Sequence, residues 1–328
     1  MINSLNVLQF AWQSAFGTAA PTATVKLQNV SSFRMRPEFE TRALDQLRGS
    51  LAPTYQSTLD NYAGSATFEV SDESFEDVNY WLDSLFGTVS PTGTVTYTRA
   101  YAAPLTSATT PHFMTLQYGQ SGSIWQMQDA SVASLTLSGA NNTGVQVGGS
   151  IIGGKVTAGT YTSLNDRTGT TRMAGCMASV GIATWDTSSF TTLANSAFSW
   201  ELSINSNREY RGYLGDCTPT AYHDQKWNGQ LRLSLELNTT TAAYLTTMLD
   251  SAGSTILERQ VKIEYKTGTS TTERSMAITF AGHSMQAPEL FQDRNGVTTY
   301  DLVLDGVYNS KLANWLKIET KSATQTLA

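Results

Sequence analysis

Residues 210–237 read YRGYLGDCTPTAYHDQKWNGQLRLSLEL, and residues 47–70 read LRGSLAPTYQSTLDNYAGSATFEV. Both carry Arg-Gly-x-Leu, then Pro-Thr, then a glycine that opens an alternating run. Gly49 aligns with Gly212, Pro53 and Thr54 with Pro219 and Thr220, and Gly64 with Gly229; Tyr55 meets Tyr222 after a one-residue insertion. In the later copy Leu231, Leu233, Leu235 and Leu237 alternate with Arg232, Ser234 and Glu236. Period two means a strand with one core face and one polar face.

The likeness extends outward. After Val70, residues Phe75, Val78, Leu82, Leu85 and Phe86 fall at helical spacing, with Ser71 as expected cap and Asp72 and Glu73 in the first turn. After Leu237, Tyr244, Leu245, Met248 and Leu249 share one helical face, with Asn238 as cap and Gly253 as stop. Beyond each helix the pattern returns to a hairpin and two more strands. A strand also precedes each Arg-Gly segment, from Thr24 and from Ala197. The order strand, long loop, strand, helix, hairpin, strands therefore occurs twice, and a tandem duplication is expected. Residues 1–160 form the first β domain, 161–196 the linker and start of the second, and 197–328 the second. The segment KVTAGTYTSLNDRTGTTRMAG has the Gly/Thr content and missing period of a linker. A short helix is expected from Ser310, packing Leu312, Trp315 and Leu316.

The expected fold class is mainly β: duplicated antiparallel sandwich or barrel domains, each with one flanking helix and a long loop. Composition agrees, since only 15% of the 328 residues are charged, against roughly 25% in average soluble domains, and Ser, Thr and Gly fill the difference. The loops, Arg36–Tyr62 and Asn207–Asn228, exceed the roughly 12–15 residues usual for bland connections and contain Pro, Tyr and Leu. Such groups find burial against another subunit. Arg48, Leu51, Pro53, Tyr55, Arg211, Leu214, Pro219 and Tyr222 are the candidate assembly residues. Arg232, Ser234 and Glu236 are the candidate polar sheet face, and the sequence does not decide which way it points.

The net charge of -6 and a pI near 5.1 argue against tight phosphate binding. Two cysteines, Cys176 and Cys217, make no disulfide framework or Cys-x-x-Cys site. The first residues lack a basic region followed by an apolar run, so no leader and no membrane anchor are expected. His112, His223 and His283 have no metal-ligand spacing. Cys217 and His223 lie six residues apart, but the earlier copy has nothing to match a nucleophile pair. No nucleophile elbow or phosphate loop is present, and Asp72/Glu73 and Glu76/Asp77 read as a cap and solvated face. The expectation is no enzyme and no cofactor.

The strand GSATFEV followed by ESFEDVNYWLDSLFG, the copy PTAYHDQKWNGQLRLSLEL with its helix, and the late SMAITFAGHSM and TTYDLVLDG resemble phage tail tube (major tail) proteins of long-tailed non-contractile phages. That resemblance implies β-sandwiches whose sheets join across subunits around a lumen, in stacked rings that conduct the genome. Two fused copies resemble the subset forming trimeric, pseudo-hexameric rings. It further implies a virion tail location, assembly in the host cytoplasm, and contact with copies of itself. Tape-measure, tail-terminator and distal tail or baseplate proteins are the other implied partners, and DNA passes without tight binding. The competing reading is a two-domain surface-binding adhesin, which would cluster exposed aromatics on one sheet face; Trp81, Trp125, Trp200 and Trp227 are scattered.

Overall fold

The alternating runs fold as strands. In a computed structural model of the chain, residues 6–20, 22–44, 56–250, 257–269, 272–284, 292–294 and 296–327 are described. Leu231, Leu233 and Leu235 are fully buried, as are Ala66, Phe68 and Val70 in the earlier copy. In chain order the first half holds β1 (Val7–Trp12), β2 (Val25–Leu27), β3 (Val30–Leu44), β4 (Gln56–Val70), α1 (Val78–Phe86), β5 (Tyr97–Ala102), β6 (Met114–Gln120), β7 (Ser123–Ala140), β8 (Gln146–Gly153) and β9 (Val156–Ala158). The second holds β10 (Ala178–Thr184), β11 (Thr191–Thr192), β12 (Ala197–Asn205), β13 (Glu209–Arg211), β14 (Ala221–His223), β15 (Asn228–Glu236), α2 (Thr239–Asp250), β16 (Glu258–Thr267), β17 (Arg274–His283), β18 (Gln292–Arg294), β19 (Val297–Gly306) and β20 (Leu316–Ser322). The protein is mainly β, with large antiparallel sheets in sandwich layers and two helices.

One pairing scheme is written twice. The pairs β1–β2, β1–β6, β6–β7, β7–β9, β7–β8, β4–β8 and β3–β4 correspond to β10–β11, β10–β16, β16–β17, β17–β20, β17–β19, β15–β19 and β12–β15. The correspondence reaches single bonds: Gly154 N donates to Gln128 O at 2.7 Å, and Val307 N to Ala281 O at 3.1 Å. Where β4 turns away from β8, Gly64 opposes Gly153. A side chain on Gly64 would sit 2.7 Å from the Gly154 carbonyl, so the corner requires glycine.

The halves are sewn together by backbone bonds. Residues Ser134–Ala140 of β7 pair with Ser199–Asn205 of β12, giving seven adjacent strands in the order β3, β4, β8, β7, β12, β15, β19. On the other layer β20 pairs with β5 of the first half. The core continues across both junctions, from Phe10, Phe68 and Trp81 to Trp200, Ile263 and Phe280.

Four expectations are corrected. The first long loop is mostly a hairpin arm: β3 and β4 pair from Val30↔Val70 to Leu44↔Gln56, because the strands carry β-branched and aromatic residues, such as the Phe39–Tyr62 pair, through the charged stretch. The second folds back as the small ribbon β13–β14. The C-terminal helix is absent; after a turn at Asn309–Asn314, β20 buries Leu316, Ile318, Thr320 and Ser322 and exposes Lys317 and Glu319. A two-residue period outcompeted the helical one because β17 offered a partner edge. The cap at Ser71 also fails: α1 starts after Asp77, and its nine residues are all buried. Glu73 and Phe75 instead bond through their backbones to Val145, Met173 and Thr171 around a bridge between Ser74 and Arg172, and the chain turns over Phe75–Asp77 into α1. Residues 166–173 lie strapped onto the first half, with Lys26 Nζ 2.6 Å from Asp166. At α2 the cap is as expected, with Asn238 Oδ1 accepting from Thr240 N and Thr241 N at 3.0 and 3.1 Å. Gly253 lies outside the described residues.

Candidate assembly surface

Strand alternation fixes the chemistry of the seven-strand sheet. With Phe68, Leu135, Leu202 and Leu233 turned into the core, the opposite face presents Thr67, Thr136, Glu201, Ser203, Arg232 and Ser234. This face is concave enough to form two open hollows, one over β3, β4 and β8, the other over β12, β15 and β19. One ion pair and several polar bonds lie on it. Arg232 bonds Asp301 through Nε at 3.1 Å and also through Nη2, and Gln230 Nε2 donates to Asp305 at 2.8 Å. Ser134 and Ser150 hydroxyls meet at 2.6 Å. The surface mixes hydroxyls with charges of both signs, and its described residues include no cluster of lysines.

The two ends of this sheet differ from its middle. At one end β3 pairs with β4 and, among the described residues, with no other strand. Its edge carries Pro37 between Arg36 and Glu38, features that discourage indiscriminate strand pairing. At the other end β17 meets β19 at Gly282↔Gly306 and His283↔Asp305, and β18 follows along the same edge at Gln292↔Thr299.

The β13–β14 ribbon shows how a second-half arm seats on a first half. Arg208, at its root, is fully buried and forms a fork with Asp224 at 2.6 and 3.1 Å. It also donates to Val132 O at 2.9 Å and to Leu85 O, at the end of α1, at 3.1 Å. A buried guanidinium is tolerated because each direction of its fork finds an acceptor. Tyr210 donates to Asp129 O and meets Ser131 Oγ, and burial pushes its phenol upward. Tyr210 and Tyr222 pack edge-on or tilted against Phe16, and Tyr222 also against Phe113. Tyr62 N donates to Cys217 O at 2.8 Å.

A second buried cluster lies under α1. Glu73 accepts from Ser74 N at 2.8 Å and from Trp81 Nε1 at 3.0 Å. Burial, then the nearby Asp77 carboxylate, push Glu73 up to about 8. Asp77 is raised by burial too, against the Arg167 guanidinium bonded to it. Glu76 reaches Arg274 of β17 at 3.0 Å and accepts from Thr171 N at 2.8 Å.

Of the residues singled out by sequence, Arg48, Leu51, Pro53 and Tyr55 lie outside the described residues. Arg211 stands exposed on β13, and Leu214 is wholly exposed at the ribbon's tip beside exposed Tyr213. Pro219 lies in the ribbon's turn, and Tyr222 packs inward on the first half. Arg232 is exposed, and Ser234 and Glu236 are half-buried on the polar face. Cys176 and Cys217 are free and exposed. Among the described residues no three His, Cys, Asp or Glu side chains gather into a metal site, and no helix is long and apolar enough to cross a membrane. Sequence reading missed Arg208 and Asp224, and it took Glu73, Glu76 and Asp77 for a cap and solvated face, whereas all three are buried, because burial leaves no local mark.

The fold and its surfaces define a structural β-sheet protein with one broad polar sheet face and two strand edges at its ends. A family model for phage tail tube proteins matches residues 3–298, so the chain belongs to the phage tail tube protein family. It is a structural component of the virion tail that assembles with itself. No curated protein matches it.

Proposed function

We propose that three copies of this chain close into a ring in which each supplies two equivalent four-strand sheets, and that stacked rings conduct the genome. The observation that carries this reading is the internal seam between β7 and β12. There Ser138, Gly139 and Ala140 oppose Glu201, Trp200 and Ser199. By the repeated pairing scheme, the counterparts of the β7 residues are Gln292, Asp293 and Arg294 of β18, and those of the β12 residues are Arg34, Phe33 and Ser32 of β3. The two ends of the sheet are therefore the two halves of a second seam, to be completed by another copy. Heterologous end-to-end pairing that closes yields a ring and leaves no sheet edge. The duplication of a tail-tube domain, residues 1–160 and 197–328, supplies six sheet units from three chains.

The polar concave face, with Arg232, Ser234 and Glu236, then lines the lumen. Hydroxyls and charges of both signs would let a polyanion pass without a cluster of cations to grip its phosphates. The tape-measure protein would occupy this lumen during assembly in the host cytoplasm, and terminator and baseplate proteins would cap the ends of a siphovirus tail. The exposed Tyr213 and Leu214 tip is placed for stacking contacts.

The test is negative-stain microscopy of the purified chain, together with a Ser32→Cys/Arg294→Cys variant lacking Cys176 and Cys217. Tubes with threefold-related rings are expected, and oxidation should link chains in circles of three. A chain that stays monomeric at every concentration and salt, or tubes that never crosslink, would sink the ring reading.

A further inference from the structure

We infer that the cleft between Trp227, Trp315 and Tyr308 of the second half, walled by Leu105 of the first, is the seat for the β3–β4 arm of a neighbouring copy. The inference rests on the ring reading and deepens it. The cleft has a volume of about 500 Å³ and also takes in Asp224 and Lys226. Tyr308 is 55% and Leu105 48% exposed, so the wall is apolar surface left in water. Trp227 is buried apart from a sliver, and its Nε1 has no hydrogen-bond partner among the described residues.

The occupant is argued from the other half of the same chain. The repeated scheme makes Tyr62 the counterpart of Trp227, and Gly153–Lys155 the counterparts of Gly306–Tyr308. That first-half position is covered. The arm of the adjacent second half lies over it: β13 runs beside the end of β8, and Cys217 O accepts from Tyr62 N at 2.8 Å. Lys155 Nζ sits 5.3 Å from the Tyr62 ring centre, as a lid on the same spot. At the second-half position neither of the chain's own arms does this: β13–β14 lies on the first half, and the paired strands β3–β4 stand at the opposite end of the sheet. The equivalent arm belongs to the next first half in the ring, and it is the β3–β4 hairpin of another copy. The chemistry fits an extended segment: backbone carbonyls for the buried indole N–H, and apolar side chains for Tyr308 and Leu105. An exposed Phe39 stands on that hairpin.

Two readouts on the full chain decide it. A benzophenone amino acid in place of Tyr308, irradiated in assembled tubes, should crosslink between copies to peptides within residues 30–70. Crosslinks confined to one chain, or to any other part of a second copy, would overturn the assignment. Leu105→Asp/Tyr308→Asp should raise the concentration needed for assembly by about tenfold or more while leaving the melting temperature of the monomer unchanged. An unchanged threshold would overturn it as well. If the wild-type chain forms no tubes, the ring reading fails; if the wild type and the variant assemble alike, the cleft alone is misassigned.

Discussion

Glu73 is a carboxylic acid that its surroundings hold far from its ordinary chemistry. The fold keeps its carboxyl protonated up to about pH 8, whereas an unfolded glutamic acid ionises near 4.5. Between these values the native state holds the extra proton, so stability falls as pH rises and levels off above about 8. Asp77, raised in the same direction and facing Arg167, adds to the trend. The slope is at most about 1.4 kcal/mol per pH unit for one such group. Thermal melts from pH 5 to 8.5 should show a declining Tm in the wild type and a flatter profile in Glu73→Gln. A wild-type Tm independent of pH across that window would contradict this account. The sequence shows Glu73 only as an acid before a helix, and its burial comes from the strap of residues 171–173.

At the scale of elements, α2 and α1 make a contrast. The start of α2 was legible because its cap is local: Asn238 satisfies two N–H groups of the first turn with its own side chain. Asn238→Ala should cost about 1 kcal/mol, measured as a lower urea midpoint at unchanged slope. Loss of much less would mean that the neighbouring Thr241 hydroxyl, which accepts from Asn238 N at 2.9 Å, holds the turn alone. α1 misleads because its start is set by pairing with distant segments. The same competition turned the expected C-terminal helix into β20: a helical spacing of three residues is weaker than an available strand edge along six. The polar face of β15 was readable residue by residue, while the arm was mistaken for a loop because charged residues interrupt its period.

For the whole molecule, the junctions β7–β12 and β5–β20 make the two halves one sheet system. Arg208 of the second half also closes on the end of α1 in the first. The chain should therefore unfold in a single transition, with equal calorimetric and van't Hoff enthalpies. Two resolved transitions by scanning calorimetry would show that the halves are energetically separate in spite of their shared backbone bonds.

The sequence by itself determined the mainly β class, the twofold recurrence of strand and helix, and the inward leucines of β15. These depend on side-chain period and short-range capping, which neighbouring residues specify. Only the tertiary structure decided that the halves share a sheet, that the long segments are arms, and that Arg208, Asp224 and Glu73 are buried. Those features depend on which strand edge meets which across the length of the chain, as where Ser322 of β20 pairs with Tyr97 of β5. The repeat at 47–70 and 210–237 marked the two arms. The β13–β14 ribbon gave the second arm a place on the first half, where Cys217 O accepts from Tyr62 N.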